Sequence, residues 1–316
     1  MKIVVTGSLG NISKPLTKEL VQKSHQVKVI SSNPEKQKDI EILGANAAIG
    51  SLEDVDFLVA TLSGADALYC MVPPNDYFDQ SLDLIAYYRR IGNNYAQAIG
   101  QSDVKRVVNL SSIGAHLDKG SGIILGVHHV EKILNELLSD VGITHLRPTS
   151  FYYNLFGYVD TIAAEGFIAA NYSADNKIPW VSSIDIAAAI AEELLTPLVG
   201  RKVRYVASEE LTGNETARIL GVAIGKPDLK WILISNEQML SGLKATGMNP
   251  QIAEGLVEMY ASLQSGELQQ DYELHKPIAM GKVKVEDFPR NLLLRSLINY
   301  QMEQIQYDSL CVLAAR

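Results

Sequence analysis

Cysteine is scarce in this chain. The 316 residues include two cysteines, Cys70 and Cys311, which lie far apart and form no Cys-x-x-Cys pair. Neither a disulfide framework nor a cysteine-ligated zinc site is therefore indicated, and we expect a reducing, cytoplasmic setting. The six histidines show no His-x-x-x-His or His-Glu-x-x-His spacing, so no metal centre is predicted.

Long apolar runs and clusters of basic residues are also missing. No run is long enough to span a bilayer, and the first residues enter a strand pattern directly instead of a signal peptide. Lysine and arginine total 28 against 36 acidic residues, for a net charge of −8, which argues against a nucleic-acid surface. We expect a soluble protein with no membrane or nucleic-acid partner, whose partner is a small-molecule substrate or none, and its oligomeric state stays open.

The first half of the sequence alternates short β-branched runs with amphipathic helical stretches, as βαβ units do. The predicted strands are Lys2–Val5, Gln26–Ile30, Ala47–Ile49, Ala67–Met71, Arg106–Leu110 and Ile143–Arg147. Helices are predicted over Pro15–Lys23 and Gln80–Gly100, where apolar residues recur on one face. This order predicts an α/β fold with a doubly wound parallel sheet of the Rossmann type, whose ligand crevice lies outside the carboxyl ends of the strands.

The pattern changes after Arg147. An aromatic segment, Phe151–Tyr158, is followed by predicted helices at Ile184–Leu195, Gln251–Leu263 and Arg290–Gln306. A strand near Val203–Ala207 is expected to return to the main sheet. We therefore predict a Rossmann domain over residues 1–150 and a smaller, mostly helical substrate or lid subdomain over residues 151–316, as the length of the chain allows.

The strongest local signal is Thr-Gly-Ser-Leu-Gly-Asn-Ile-Ser, residues 6–13, between the first predicted strand and the first predicted helix. Gly7 would permit the tight turn, Gly10 would let the backbone approach a pyrophosphate, and the amides of Asn11 and Ile12 would point at phosphate oxygens. Ser13 replaces the third glycine of the usual motif, which packs the helix against the strand. Its small side chain is compatible with that packing, so the segment predicts a dinucleotide site.

The end of the second strand bears on which dinucleotide is bound. An acidic residue there would bind the ribose hydroxyls of NAD, whereas this chain has Ser31, Ser32 and Asn33, followed by Lys36. Two hydroxyls and an amide can donate to a phosphate, so NADP(H) is favoured and NAD(H) remains possible. The alternative is that this segment is only a capped turn with a solvated lysine.

Several motifs together resemble the NmrA-like branch of the atypical short-chain dehydrogenase/reductases over about residues 1–290. They are the glycine turn at Thr6–Ser13, Ser32–Lys36, Gly50–Leu52, Leu110–Gly114, Thr144–Pro148, Phe151–Leu155 and Asp185–Ala187. The resemblance implies that the pyrophosphate is held by Gly7, Leu9, Gly10, Asn11 and Ile12. It further implies a cofactor path along Ser31, Ser32, Asn33, Lys36, Ser51, Leu52, Met71, Val72, Pro73, Ser111 and Pro148, and a substrate pocket with Ser112, Tyr152, Tyr153 and Asn154.

One departure from the short-chain dehydrogenase pattern concerns catalysis. The Tyr-x-x-x-Lys pair that usually supplies the proton is absent, and Ile123 and Val127 stand near its positions. The polar substitutes in that helix are His128, His129 and Glu131, of which a histidine could shuttle protons near neutral pH. The alternative is that these side chains are merely packed or solvated, so the catalytic residue is left unassigned.

Two functions follow from these observations. The first is an NAD(P)H-dependent reductase that passes hydride to a small planar acceptor such as a quinone. The second is a non-catalytic regulatory protein that senses NADP(H), which the missing Tyr-x-x-x-Lys pair favours.

Overall fold

The computed structural model describes residues 1–138, 140–172, 174–197 and 199–287. Over these residues the chain forms twelve strands: β1 (Lys2–Val5), β2 (Gln26–Ser31), β3 (Asn46–Ile49), β4 (Ala67–Cys70), β5 (Arg106–Leu110), β6 (Gly142–Pro148), β7 (Ser150–Phe151), β8 (Phe167–Ala170), β9 (Lys177–Val181), β10 (Arg201–Val206), β11 (Glu209–Thr212) and β12 (Lys230–Leu233).

The same residues form eleven α-helices: α1 (Ser13–Gln22), α2 (Gln37–Ile42), α3 (Val55–Leu62), α4 (Leu84–Gly100), α5 (Leu125–Asn135), α6 (Val159–Ala164), α7 (Ser183–Leu195), α8 (Gly213–Ala223), α9 (Asn236–Ala245), α10 (Pro250–Ser265) and α11 (Gln270–Leu274). Short 3₁₀ segments cover Pro34–Lys36, Gly122–Ile124, Tyr152–Tyr158 and Glu267–Gln269. The predicted helix over Arg290–Gln306 lies outside the described residues.

The central sheet is parallel and, in the described part of the chain, has seven strands in the order β10-β6-β5-β4-β1-β2-β3. Every residue of β4 and β6 is buried, as expected for strands covered on both faces. The order in which the chain adds strands to the sheet reverses between β1 and β4. β1 lies between β2 and β4, so Val5 of β1 pairs with Val29 of β2 and with Tyr69 of β4. The predicted doubly wound α/β fold is confirmed, and its switch point lies where a ligand crevice is expected.

Helices cover both faces of this sheet. On one face α1 and α7 pack through a cluster that includes Leu16, Leu20 and Ile190, and on the other α3, α4 and α5 pack through a cluster that includes Ile91 and Leu134. Each cluster contains side chains from the central strands. The sheet is thereby enclosed, and its carboxyl-terminal edge is left to form a site.

The second part of the chain forms a three-stranded sheet, β11-β9-β7, and a two-stranded sheet, β12-β8. Their core contains large aromatic side chains, among them Tyr152, Trp180 and Trp231. Between these elements the chain returns to the central sheet at β10, which pairs with β6 from Arg201 opposite Ile143. β10 therefore starts two residues before Val203, the start predicted from the sequence.

Predicted and observed helix ends differ where a capping residue decides them. The helix expected from Gln80 begins at Leu84, because the Asp83 carboxylate accepts a hydrogen bond from the Ala86 amide at 2.9 Å. Residues up to Asp83 instead form turns. No helix among the described residues combines the length and apolar character needed to cross a membrane.

Candidate functional site

The glycine turn after β1 has the conformation of a phosphate loop. Gly7 adopts φ +84° and Ser8 φ +53°, both left-handed, and the Gly10 amide donates to the Gly7 carbonyl at 3.1 Å. A side-chain carbon on Gly7 would lie 2.7 Å from the Ser13 hydroxyl oxygen and 3.2 Å from the Met71 sulfur. Only glycine fits this position without displacing its neighbours.

Ser13, which replaces the third glycine of the motif, has a structural role. Its hydroxyl donates to the Thr6 carbonyl at 2.7 Å and is buried. The Thr6 hydroxyl in turn accepts a hydrogen bond from the Met71 amide at 3.1 Å. These bonds tie the start of α1 to the ends of β1 and β4, so close packing of helix and strand is kept without a third glycine.

The start of α1 is open to an anion. Its N-cap residue, Ile12, makes no side-chain capping bond, and the Lys14 amide donates to the Gly10 carbonyl at 3.0 Å. Amides at a helix N-terminus and the helix dipole attract phosphate. Asn11, Ile12 and Ser13 line the cavity in front of this helix end.

At the end of β2 the side chains are hydroxyls and an amide. The Ser8 hydroxyl donates to Ser31 at 2.9 Å, and the Asn33 amide donates to the same oxygen at 3.2 Å. The Asn33 side chain also caps the following 3₁₀ turn, and the exposed Lys36 lies 3.6 Å from Asp39. No residue of β2 or the following Ser32–Pro34 segment is acidic, so nothing in this part of the turn repels a ribose phosphate.

A cavity of about 670 Å³ runs along the carboxyl ends of the central strands, a size typical of small-molecule and cofactor sites. It brings together eleven of the residues singled out in the sequence: Gly7, Gly10, Asn11, Ile12, Ser31, Ser32, Ser51, Leu52, Met71, Pro73 and Tyr153. It thus joins the phosphate turn to the end of β4 and to the aromatic segment. One continuous groove is present.

The other cofactor and substrate candidates do not line this cavity. They are Leu9, Asn33, Lys36, Val72, Ser111, Pro148, Ser112, Tyr152 and Asn154. Leu9 and Val72 pack against core clusters, and Pro148 is buried at the end of β6. The Tyr152 hydroxyl donates at 2.5 Å to Glu209, which lies on β11 of the three-stranded sheet. Asn154 is exposed.

The three residues named for proton transfer also lie elsewhere. His128 and Glu131 line a different cavity, and His129 lies 2.6 Å from Arg89 at the exposed surface. Glu131 accepts hydrogen bonds from Arg147 at 2.7 Å and from the Ser111 hydroxyl. Because Ser111 is buried and turned toward Glu131, it too faces away from the groove.

Three residues of the groove, Gly50, Phe151 and Ser183, have no role in the predictions from sequence. Gly50 approaches so closely that a side-chain carbon would lie 2.5 Å from the Phe57 ring. Phe151 directly precedes the predicted pocket residues Tyr152 and Tyr153, and Ser183 starts α7. The aromatic segment is a signal in the sequence, but which of its side chains faces the groove depends on the turn after β7.

The groove holds few groups that could move a proton. Within the described chain its lining includes no lysine, arginine or histidine, and its one carboxylate, Glu53, is paired with Arg90 at 3.0 Å. Burial raises the pKa of Tyr69 and, with the nearby Glu53 charge, that of Tyr87. These hydroxyls remain protonated at neutral pH, so they can donate hydrogen bonds but cannot act as bases.

Fold and site together define a dinucleotide-binding Rossmann protein, with an uncapped helix start beyond a glycine turn at the switch point of the sheet. The model of the NmrA-like family matches residues 1–290, and the chain belongs to that family. The resemblance found in the sequence is confirmed.

Individual relatives agree with this membership. The NAD(P)H azoreductase of Xenophilus azovorans is 25% identical over 261 residues, which make up 82% of this chain and 86% of that protein. The NADPH-dependent quinone oxidoreductase of Escherichia coli, solved with NADPH, superimposes with a TM-score of 0.74 at 21% identity, covering 90% of this chain and 98% of that one. The triphenylmethane reductase of a Citrobacter species gives 0.72 at 19%, covering 95% and 100%. The superpositions on these two solved structures show that this chain shares their fold.

Proposed function

We propose that this protein is an NAD(P)H-dependent reductase that transfers hydride to a small planar acceptor such as a quinone. NADP(H) is the favoured cofactor. The observation that carries the proposal is the groove itself, which begins at an uncapped helix N-terminus and ends against aromatic side chains. The relatives named above as reductases of azo compounds, quinones and triphenylmethane dyes support an acceptor with an extended conjugated system.

The residues of the groove fit a dinucleotide. The Gly7 position leaves no room for a side chain, and the amides at the start of α1 would hold the pyrophosphate. Ser51 and Leu52 would flank the adenine, and Ser32 would donate to the ribose or its phosphate. Ser31, whose hydroxyl already donates to the Asn33 carbonyl at 3.3 Å, would line the ribose site. When bound, the reduced nicotinamide supplies the hydride.

The acceptor end of the groove is aromatic and carries no charged side chain. Pro73, Phe151 and Tyr153 form its walls, and no imidazole or ammonium group in the described lining stands ready to protonate a product. An acceptor that accepts hydride without an enzyme acid suits these walls, because the resulting anion can take its proton from water. Quinones and electron-poor conjugated dyes have this property, whereas simple ketones need an acid.

The same shortage of proton donors favours one alternative, a non-catalytic protein that senses NADP(H). A sensor needs the phosphate turn and the groove but no acceptor chemistry. Two well-separated cysteines and the net charge of −8 support a cytoplasmic location and a small-molecule partner in either case.

The experiment that separates the two functions measures NADPH oxidation with quinones, azo dyes and triphenylmethane dyes, together with the thermal shift on adding NADPH or NADH. A reductase oxidises NADPH in the presence of at least one acceptor. A sensor is stabilised by NADPH, by about 2.7 kcal/mol at 100 times its Kd, yet oxidises none of it. Absence of any shift with either cofactor would contradict both.

A further inference from the structure

One wall of the dinucleotide groove is formed by the chain that joins β4 to α4, residues 71–83, which we call the wall segment. Met71, Pro73, Pro74 and Asn75 of this segment line the groove. Beyond Asn75 the chain leaves the groove through a run of short turns, and α4 begins at Leu84. The position of this wall therefore depends on what holds the two ends of the segment.

The end of the wall segment next to β4 is held by two hydrogen bonds. The Met71 amide donates to the Thr6 hydroxyl at 3.1 Å, and the Met71 carbonyl accepts from the Tyr95 hydroxyl at 2.8 Å. Tyr95 lies on α4 and is buried. These bonds keep Met71 beside the glycine turn without help from the rest of the segment.

The far end of the wall segment is held by Asn249, in the turn between α9 and α10. The Asn249 side-chain nitrogen donates to the Asp79 carbonyl at 2.9 Å and to the Leu82 carbonyl at 3.3 Å. Its backbone amide donates to the Tyr77 carbonyl at 2.9 Å. Because Asn249 is 3% exposed, water competes little for these three hydrogen bonds.

The orientation of the Asn249 amide is set by α10. Its side-chain oxygen caps the helix by accepting from the Gln251 amide at 3.0 Å and the Ile252 amide at 3.4 Å. With the oxygen turned to the helix, the nitrogen must face the wall segment. Ile252 is buried in the same core cluster as Leu84 of α4, so the cap is itself firmly placed.

A second link between the same two regions lies at the surface. The Gln80 side-chain nitrogen donates to the Gly247 carbonyl at 3.0 Å and to the Phe78 carbonyl at 2.8 Å, and both bonds are exposed. Exposed hydrogen bonds are exchanged readily for bonds to water. Within the described residues, nothing from α9 or α10 lines the groove, so Asn249 can influence it only through the wall segment.

We propose that Asn249 is a positioning residue for the hydride acceptor. It holds the far end of the wall segment, so that Pro73, Pro74 and Asn75 present a wall of constant shape to a flat molecule. Contact with such a wall weakens steeply when a small gap opens, so an acceptor is bound less well once the segment is released. The proposal rests on the proposed reductase function and adds to it a residue outside the groove that sets acceptor affinity.

Asn249→Asp separates this role from helix capping. Aspartate caps a helix as well as asparagine does, so the bonds from Gln251 and Ile252 are kept. Its second oxygen, however, cannot donate and faces the carbonyls of Asp79 and Leu82. Asn249→Ser also keeps a capping oxygen and removes the link without adding charge, so it decides the question if the aspartate variant does not fold.

Ser235→Ala is the matched control. The Ser235 hydroxyl caps α9 by accepting from the Gln238 amide at 3.2 Å, so the variant loses a cap on the neighbouring helix. That loss destabilises the protein, as a capping defect at Asn249 would, but leaves the three bonds to the wall segment in place. A general effect of lower stability would appear in this control as well.

The test measures duroquinone binding by equilibrium dialysis to the full chain saturated with NADP⁺, which has no hydride to give. We expect both Asn249 variants to bind duroquinone about tenfold more weakly than the wild type, and Ser235→Ala to bind it equally well. Hydrogen exchange read by mass spectrometry should be faster across the wall segment in the Asn249 variants alone. All variants should keep the NADPH thermal shift, because the glycine turn and Met71 are held independently.

Steady-state kinetics add a second readout. With NADPH saturating, KM for duroquinone should rise by the same factor in the Asn249 variants while kcat is unchanged, since the nicotinamide keeps its place. The proposal is overturned if these variants bind duroquinone as the wild type does, even with faster exchange, or if Ser235→Ala loses as much affinity. It is overturned too if the wild type binds no duroquinone.

Failure of the proposed reductase gives a different pattern. A wild-type protein that binds duroquinone yet never oxidises NADPH with any acceptor refutes the reductase, while the dialysis still decides the role of Asn249. Conversely, normal turnover together with equal duroquinone affinities in all variants refutes the positioning role and leaves the reductase intact.

Discussion

Gly7 is the residue at which backbone conformation and cofactor binding are most directly joined. Gly7→Ala places a side chain in a left-handed position and against Ser13 and Met71. We expect the free energy of unfolding to fall by more than about 1 kcal/mol and the NADPH thermal shift to disappear, as measured by differential scanning fluorimetry.

The control for this change is Gly225→Ala. Gly225 has φ +74° but open space around its side-chain position, so it isolates the conformational cost. It is expected to lose about 1 kcal/mol and to keep the NADPH shift in full. Equal losses of cofactor binding in the two variants would contradict the role given to the turn.

Tyr153 is the tyrosine of the aromatic segment that lines the groove. Tyr153→Ala removes an aromatic wall at the acceptor end, and we expect kcat/KM for a quinone or dye to fall about tenfold, through KM, with NADPH affinity unchanged. Asn154→Ala, at an exposed neighbour, is expected to change neither. Steady-state kinetics at saturating NADPH distinguish the outcomes, and an unchanged KM in Tyr153→Ala would count against this wall.

At the residue scale the phosphate turn was predictable, and the far end of the site was not. Gly7, Gly10 and Asn11 could be predicted from local spacing, because the glycine turn lies directly between a predicted strand and a predicted helix. Ser111 and Tyr152 bond to Glu131 and Glu209, partners distant in sequence that no local pattern indicates.

Among the elements, α7 is fixed to the central sheet by a buried charge. Glu193 is 2% exposed and accepts hydrogen bonds from Arg106 at 3.0 Å, Lys202 at 2.7 Å and Arg204 at 2.8 Å. Burial alone would raise the pKa of Glu193, but the bonds from Lys202, Arg204 and Thr144 outweigh burial and lower it. One carboxylate thus joins α7 to β5 and β10.

Glu193→Gln leaves the buried Arg106 without its counter-charge, and we expect it to cost about 3 kcal/mol of stability at neutral pH in chemical denaturation. Glu192→Gln, which removes one exposed ion pair to Arg204, should cost less than about 1 kcal/mol. Similar losses in the two variants would show that burial of the pair is unimportant.

The same carboxylate predicts an acid dependence. A carboxyl whose folded-state pKa lies below its unfolded value of about 4.3 stabilises the fold above that pH, and the stabilisation is lost as the pH falls toward the folded-state pKa. Wild-type stability should therefore drop below about pH 4.3 more steeply than that of Glu193→Gln. Parallel pH profiles for the two proteins would refute this assignment.

Most elements of the central sheet could be predicted, since β1, β2, β4, β5 and β6 are short segments rich in apolar and β-branched residues, most of which are buried. The short helices α2 and α3 were not predicted, although Asp54 is a capping residue whose side chain accepts from the Phe57 amide at 3.0 Å. Their brevity gives too few turns for a clear helical period. The start of α4 depends on a single capping residue, Asp83.

At the scale of the whole molecule, Asp185 ties the last described segment to α7. Its carboxylate accepts hydrogen bonds from the Lys282 and Val283 amides at 3.0 and 3.1 Å and from the Ser208 hydroxyl at 2.7 Å. Asp185→Ala is expected to lower stability by about 2 kcal/mol and to speed tryptic cleavage after Lys282.

Limited proteolysis followed by mass spectrometry checks this tether. Asp175→Ala, which removes a single exposed hydrogen bond to Asn214, serves as the control and should be cleaved at the wild-type rate. Cleavage after Lys282 that is no faster in Asp185→Ala than in the control would show that other contacts hold the segment.

The late return of the chain to the central sheet at β10 has a consequence for biosynthesis. Until Arg201–Val206 has left the ribosome, β6 is the outermost strand, and its unpaired amides and carbonyls are open to pairing with another nascent chain. We expect translation intermediates that stop shortly before residue 200 to aggregate or recruit chaperones, and intermediates that extend past β10 to escape this hazard.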